Sequence, residues 1–238
     1  MAAQLFRIKI CGVTTAADAV LVAEAGADAV GFNFVPGSPR ALSAAAARAA
    51  RRELPERVLA VGVFAGLPAA EILAVADEVG LDAVQLHGHL DGDGPATDPP
   101  SRCAGLATAA GLTLIRAVRL EADGLAAARR WLAAAAVAGR SPDMLIVDAG
   151  VTPATAAGML GGTGHRVDWA ALAREPDLGV PLALAGGLTP GNVFDAIRAT
   201  GVRSVDTASG VESSPGIKDS SRVRAFVAAA AAAFDGGR

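Results

Sequence analysis

Aromatic and charged side chains are both scarce in this chain. Its 238 residues include seven Phe, two Trp and no Tyr, and only 19% are Asp, Glu, Lys or Arg. Low charge beside 52% hydrophobic residues excludes global disorder, which needs the opposite balance. Two cysteines, Cys11 and Cys103, are too few for a disulfide framework, so the expected compartment is reducing and at least one thiol is free. A formal net charge of −3 with interspersed signs gives no electrostatic footprint for nucleic acid. No run of about 18 apolar residues escapes interruption by charge, and this excludes a membrane span. The N-terminus, MAAQLFRIKICG, lacks the long apolar stretch of a secretory leader, so a cytoplasmic address is expected. Alanine is what the chain has in excess, 57 residues of it. The positive mean hydropathy of +0.41 is carried by alanine and aliphatics, a composition suited to helices packed closely on a sheet.

Short β-branched or aliphatic runs alternate with alanine-rich helical patterns along the whole length. The runs predict strands at 6–10, 29–34, 58–64, 83–86, 113–117, 144–147, 182–185 and 204–206. Helices are expected near 16–24, 43–53, 68–78, 101–110, 125–138, 168–173, 192–199 and 220–234. Strict alternation argues for a parallel sheet with crossover helices. Eight repeats at this length favour an α/β fold closed into a single (β/α)8 TIM barrel, one domain over residues 1–238. Two connections look long, 90–100 and 149–166, and both follow strands on the side where such barrels carry their sites. The first, acidic and proline-rich, reads more readily as a solvated insertion.

Strand ends are therefore where chemistry is sought. Alternation puts Lys9 and Cys11 on one face of the first strand and Ile8 and Ile10 on the other. With the apolar face against helices, Cys11 turns inward at the barrel mouth; an inert, buried thiol is the plain alternative. Asp148 follows four apolar residues, where a carboxylate is costly unless hydrogen-bonded or protonated; a turn-capping aspartate is the plain alternative. Cys11 and Asp148, from distant strands, face each other across the mouth as an acid–base pair able to move protons without a cofactor. Gly186–Gly187 after the seventh strand and Ser209–Gly210 after the eighth occupy the fold's recurrent phosphate position, and the GGTG run at 161–164 offers further backbone N–H groups. Arg40 follows a Gly-Ser-Pro turn above the mouth, where a guanidinium can hold a carboxylate through two bonds. His87 is a candidate substrate contact, and Arg116 another, with a structural ion pair the readier reading of the latter. His87 and His89 find no further ligands at metal-binding spacing, so no metal is expected.

In order, KICGVT, GFNFVPGSPR, AVQLHGH, LIVDAG, GGTGHRVDW, LAGGLTPGNV and VDTASGVESSPGIKD resemble phosphoribosylanthranilate isomerase, a tryptophan-biosynthesis family, from Lys9 to Asp219. The resemblance implies an Amadori rearrangement of N-(5-phosphoribosyl)anthranilate within a (β/α)8 barrel. It implies Cys11 as base, Asp148 as acid, and Arg40 facing the anthranilate carboxylate. It places the phosphate against Gly162, Gly164, Gly186, Gly187, Ser209 and Gly210. The substrate is a small phosphosugar and the reaction redox-neutral, so no cofactor is implied; the chain would act as a monomer or homodimer. Lys9, two residues before Cys11 on the same face, is expected to stabilise its thiolate. Val167 stands where the family commonly has Phe, DTASGVE departs from its usual form, and the two long connections exceed those of a compact member.

Two other classes compete. Another phosphosugar barrel would share the glycine loops. An epimerase, however, needs metal ligands, the indole-glycerol-phosphate synthase needs Lys and Glu groups, and the histidine-pathway isomerase carries Asp on its first strand. A silent phosphate-binding protein would keep the glycines and lose the acid–base pair.

Overall fold

A computed structural model describes residues 4–90, 94, 96–106, 111–148 and 169–236. Eight parallel strands close in sequence order: β1 (Ile8–Cys11), β2 (Ala29–Asn33), β3 (Leu59–Phe64), β4 (Ala83–Leu86), β5 (Thr113–Arg119), β6 (Met144–Asp148), β7 (Leu182–Leu184) and β8 (Val205–Thr207). Outside them run α1 (Ala16–Ala25), α2 (Ala44–Arg52), α3 (Ala69–Val79), α4 (Pro100–Leu106), α5 (Ala126–Val137), α6 (Trp169–Ala173), α7 (Val193–Thr200) and α8 (Ser220–Asp235). The expected (β/α)8 TIM barrel is the observed fold. Among the described residues no helix is long and apolar enough to cross a membrane.

Helix starts are written locally. The side chains of Thr15, Ser43 and Asp219 accept the N–H groups of Asp18, Ala46 and Arg222, satisfying donors that the first turns of α1, α2 and α8 leave open. Strand starts use a repeated device. Asp28, ahead of β2, accepts Ile8 N–H at 2.9 Å; Asp82, ahead of β4, accepts Ala60 N–H at 2.8 Å; Asp143, ahead of β6, accepts Leu114 N–H at 2.8 Å. Each aspartate thus ties the beginning of one strand to the next and fixes the stagger at the end of the barrel away from the site.

Burial splits into two bodies. The larger lies between strands and helices and includes Ile8, Ile10, Phe32, Phe64, Leu114, Val118 and Val205. The smaller fills the barrel interior with Phe6, Ala29, Val61, Ala83, Ile115, Met144, Ile146, Ala183 and Ala185. Side chains two residues apart share a face, so this inner set fixes what each strand sends on towards the mouth.

Strand limits differ from the sequence expectation chiefly in β1, which begins and ends later, and in β5, which runs two residues further, to Arg119. A hairpin not anticipated, β9 (Glu212–Ser214) with β10 (Ile217–Lys218), follows a 3-10 turn at Ser209–Val211. Its Pro215–Gly216 turn is the signal that was there to be read.

Candidate active site

Cys11 ends β1 on the interior face. One layer below it, Lys9 is fully buried and its ammonium lies 2.9 Å from the Asp206 carboxylate; the two residues are register partners on β1 and β8. The adjacent strand makes room for the sulfur: a Cβ on Gly31 would stand 2.7 Å from Cys11 Sγ. From β10, Lys218 Nζ donates to Cys11 O at 2.7 Å, to Ala208 O at 3.2 Å and to Glu212 Oε1 at 2.7 Å. Glu212 in turn accepts Arg40 Nε at 2.8 Å and Nη2 at 2.7 Å. Thr14 Oγ1 donates to Gly216 O at 2.8 Å, so the hairpin grips the end of β1 at two places.

The charges on this side of the mouth are paired. Complete burial pulls Lys9 towards its neutral form, but Asp206 and the Cys11 sulfur outweigh it and raise its pKa. Desolvation works against the Glu212 carboxylate too, yet Arg40 and Lys218 hold its pKa below the ordinary value. Burial pushes the Cys11 thiol up, with Lys9 pulling it back, Asp206 adding to the rise and Lys218 opposing it. Lys9 therefore supplies the expected positive field, but as half of an ion pair, and the net shift of the thiol is upward rather than towards the thiolate.

Across the mouth, Asp148 ends β6 in the same inward line as Met144 and Ile146, and Arg119 ends β5 in line with Ile115. The two are register partners. His87, just past β4, continues the inward line of Ala83 and Gln85, and its N–H donates to Phe64 O at 2.7 Å. Its Nδ1 is buried with no hydrogen-bond partner among the described residues, as is Gln85 Oε1 below it. Burial lowers the His87 pKa; Asp148 opposes this, while Arg116, Arg119 and Lys9 add to the lowering.

Phosphate-type loops close the same end. Gly186 and Gly187 take φ of +85° and +65°, a left-handed pair that side-chain-bearing residues resist, and Asn192 pins the turn by donating to Gly187 O at 3.0 Å and accepting Thr189 N–H at 2.8 Å. Thr207 Oγ1 donates to Leu188 O at 2.7 Å, and a Cβ on Gly210 would meet that same oxygen at 1.8 Å. The loops after β7 and β8 are thus locked together, with Ser209 exposed beside them. Gly162 and Gly164 lie outside the described residues.

A family model described as N-(5'-phosphoribosyl)anthranilate (PRA) isomerase matches residues 8–229. The chain belongs to that family. Among its relatives is the N-(5'-phosphoribosyl)anthranilate isomerase of Myxococcus xanthus, 42% identical over 94% of this chain and 95% of that one. The crystal structure of phosphoribosyl anthranilate isomerase from Thermotoga maritima superposes with a TM-score of 0.79 at 34% identity, covering 97% of this chain and 99% of that one. A second solved isomerase, holding reduced 1-(o-carboxyphenylamino)-1-deoxyribulose 5-phosphate, gives 0.76 at 33% identity with the same coverage.

Within this phosphoribosylanthranilate isomerase barrel, the structure places Cys11, His87 and Asp148 on one mouth with Gly186, Gly187, Ser209 and Gly210. Arg40 reaches the rim but is bound twice by Glu212. Arg116 belongs elsewhere. It sits mid-strand on the helix-facing side of β5, fully buried, stacked 5.0 Å from the Trp131 ring centroid. It donates to Leu86 O and Gly88 O, and lies 3.6 Å from Asp98. Within the described part of 90–100, Asp98 departs from the reading as a solvated insertion: it is fully buried and accepts the N–H groups of Gly66 at 3.0 Å and Gly88 at 2.7 Å. Cys103, on α4, is a buried thiol pushed up to about 11 by desolvation. Among the described residues no cluster of His, Cys, Asp or Glu is placed to hold a metal ion.

Proposed function

We propose that Cys11 and Asp148 carry out the isomerisation of N-(5-phosphoribosyl)anthranilate to 1-(2-carboxyphenylamino)-1-deoxyribulose 5-phosphate. The observation that supports these roles is their shared placement, at the interior ends of β1 and β6, on the mouth that also bears the glycine loops. Asp148 delivers a proton to the furanose ring oxygen; the bond from that oxygen to C1' breaks, and the nitrogen lone pair forms a protonated Schiff base. Cys11, as thiolate, takes the proton from C2', and the electron pair left behind makes an enolamine. A proton added at C1' and one lost from the C2' hydroxyl give the ketone. Atoms and electrons balance within the substrate, so the reaction has no need of an electron acceptor.

The remaining groups bind. Backbone N–H groups at Gly186, Gly187, Ser209 and Gly210 hold the phosphate, with Gly162 and Gly164 as a further contribution; the left-handed glycine pair and the locked loops support this assignment. Lys9 acts on Cys11 through charge, and Lys218 positions it through its carbonyl. His87 shares the mouth with Asp148 as a hydrogen-bonding group for the sugar. Arg40 keeps Nη1, the nitrogen not engaged by Glu212, for the anthranilate end.

Turnover of freshly generated phosphoribosylanthranilate, followed as loss of its fluorescence, tests the reading. The chain should be active without added metal or cofactor, and Cys11→Ser and Asp148→Asn should each cost about 10²–10⁴-fold. Full activity in either variant would remove its assigned role. A fluorescence loss no faster than spontaneous hydrolysis would remove the function.

A further inference from the structure

Arg116 and Asp98 form an ion pair on the helix side of the sheet, and both are fully buried. Such a pair is a poor way to fill a core. Each charge gives up its hydration, and apolar residues of similar volume serve stability as well or better. The desolvation is visible in Arg116, whose pKa burial pulls down to about 10 against the attraction of Asp98 and Cys103. Orientation of the backbone is what the pair supplies instead.

Consecutive peptide groups around His87 are held from that side. Arg116 Nη1 donates to Leu86 O at 3.0 Å and Nη2 to Gly88 O at 2.7 Å, the carbonyls one residue before and one after His87. Asp98 Oδ2 accepts Gly88 N–H at 2.7 Å, in the peptide group between them. Asp98 is itself anchored: its other carboxylate oxygen accepts Gly66 N–H at 3.0 Å, and its carbonyl accepts Trp131 Nε1 at 3.1 Å. The peptide planes on the two sides of a residue set its φ and ψ, and so the direction of its side chain. The side chain fixed in this way is the imidazole that continues the inward line of Ala83 and Gln85 to the mouth. Gly88 leaves the space: a Cβ there would stand 2.2 Å from Ala96 O and 2.4 Å from Asp98 Oδ2.

We propose that Arg116 and Asp98 are positioning residues for the isomerisation, aiming the His87 side chain at the substrate through the backbone, from behind the barrel wall. Neither touches substrate. The proposal deepens the isomerase reading and rests on the contact which that reading gives His87. It also assigns a task to the end of the long connection at 90–100, which brings Asp98 to Gly88.

Double-variant kinetics with phosphoribosylanthranilate test this, each variant assayed below the onset of its own melting. His87→Ala should lower kcat/KM about 10–100-fold, the loss of a hydrogen-bonding group. Arg116→Met should also lower it about 10–100-fold, by misplacing the imidazole. In the His87→Ala background the same change should cost less than about twofold, whereas a role in stability alone predicts equal losses in both backgrounds. Arg116→Lys keeps the charge but lacks the fork that spans two carbonyls, so it should preserve melting temperature better than turnover. If Arg116→Met has no melting transition, Arg116→Lys and Asp98→Asn take its place in the same cycle. The imidazole NMR signal that disappears in His87→Ala should move in Arg116→Lys. Equal losses in the two backgrounds overturn the proposal, as does full activity in His87→Ala or an unmoved imidazole signal. In those cases the isomerase reading stands on turnover by the unaltered chain. Failure of that chain to turn over phosphoribosylanthranilate overturns both.

Discussion

The two sides of the barrel mouth treat charge in opposite ways. Around β1 and β8 every charged group meets a protein partner: Lys9 with Asp206, and Glu212 between Arg40 and Lys218. Around β4 and β5 the polar atoms are left open, with His87 Nδ1 and the Arg119 guanidinium unpartnered among the described residues. The proposed base must be aimed and its proton affinity set before substrate arrives, and closed ion pairs would do that without outside help. On the side of the proposed acid, substrate oxygens would complete the hydrogen bonding, so that burial there would discriminate one ligand from another.

Lys9→Met attacks the closed side most severely. It leaves the buried Asp206 carboxylate without a counter-charge and should cost about 3–5 kcal/mol in urea unfolding, whereas Arg119→Met should stay within about 0.5 kcal/mol. Equal losses would erase the contrast. Titration of the Cys11 thiol in the same Lys9 variant should give a higher pKa than in the unaltered chain, since Lys9 pulls it down. Gly31→Ala comes next. A methyl group 2.7 Å from Cys11 Sγ displaces the base, and kcat should fall roughly 100-fold with the melting temperature far less affected; unchanged kcat would mean that the sulfur has slack.

Smaller effects follow from charge alone. The thiol is shifted upward, so kcat/KM should rise with pH as thiolate forms, and Lys218→Met should move that rise to higher pH because a cation opposing the shift is lost. A profile that stays in place would assign Lys218 to structure only. Glu212 has a folded pKa below its unfolded one, so its contribution to stability is complete above about pH 4.3 and disappears as pH falls through the lower folded value. The stability gap between the unaltered chain and Glu212→Gln, measured by denaturation across acid pH, should narrow in that direction. A gap independent of pH would show that the ion pairs with Arg40 and Lys218 add nothing.

Much of this was legible in the chain. Period-two alternation sent Lys9 and Cys11 inward and Ile8 and Ile10 outward, and the structure agrees. Asp148 at the end of an apolar run was visible for the same reason. What escaped was set by contacts remote in sequence. The strand expectation stopped at Ala117, making Arg116 look terminal; two further residues put Arg119 there and leave Arg116 facing helices, where burial depends on Asp98 and Trp131. Gly31 looked like one more small residue in AVGFN, because only the neighbouring strand reveals the sulfur it accommodates. Glu212 and Lys218 stand within VDTASGVESSPGIKD, which carries the family resemblance, and nothing local shows that they hold Arg40 and the backbone of Cys11.

The clamp on β1 also has a consequence in time. Lys218 lies 207 residues beyond the Cys11 carbonyl that it holds, and Asp206 lies 197 beyond Lys9. During synthesis at about 5–20 residues per second, roughly 10–40 s separate the emergence of the thiol from that of the groups that aim it. The first strand made is therefore the last to be finished, and a nascent chain exposes Cys11 as an ordinary cysteine until its final hairpin closes the ring.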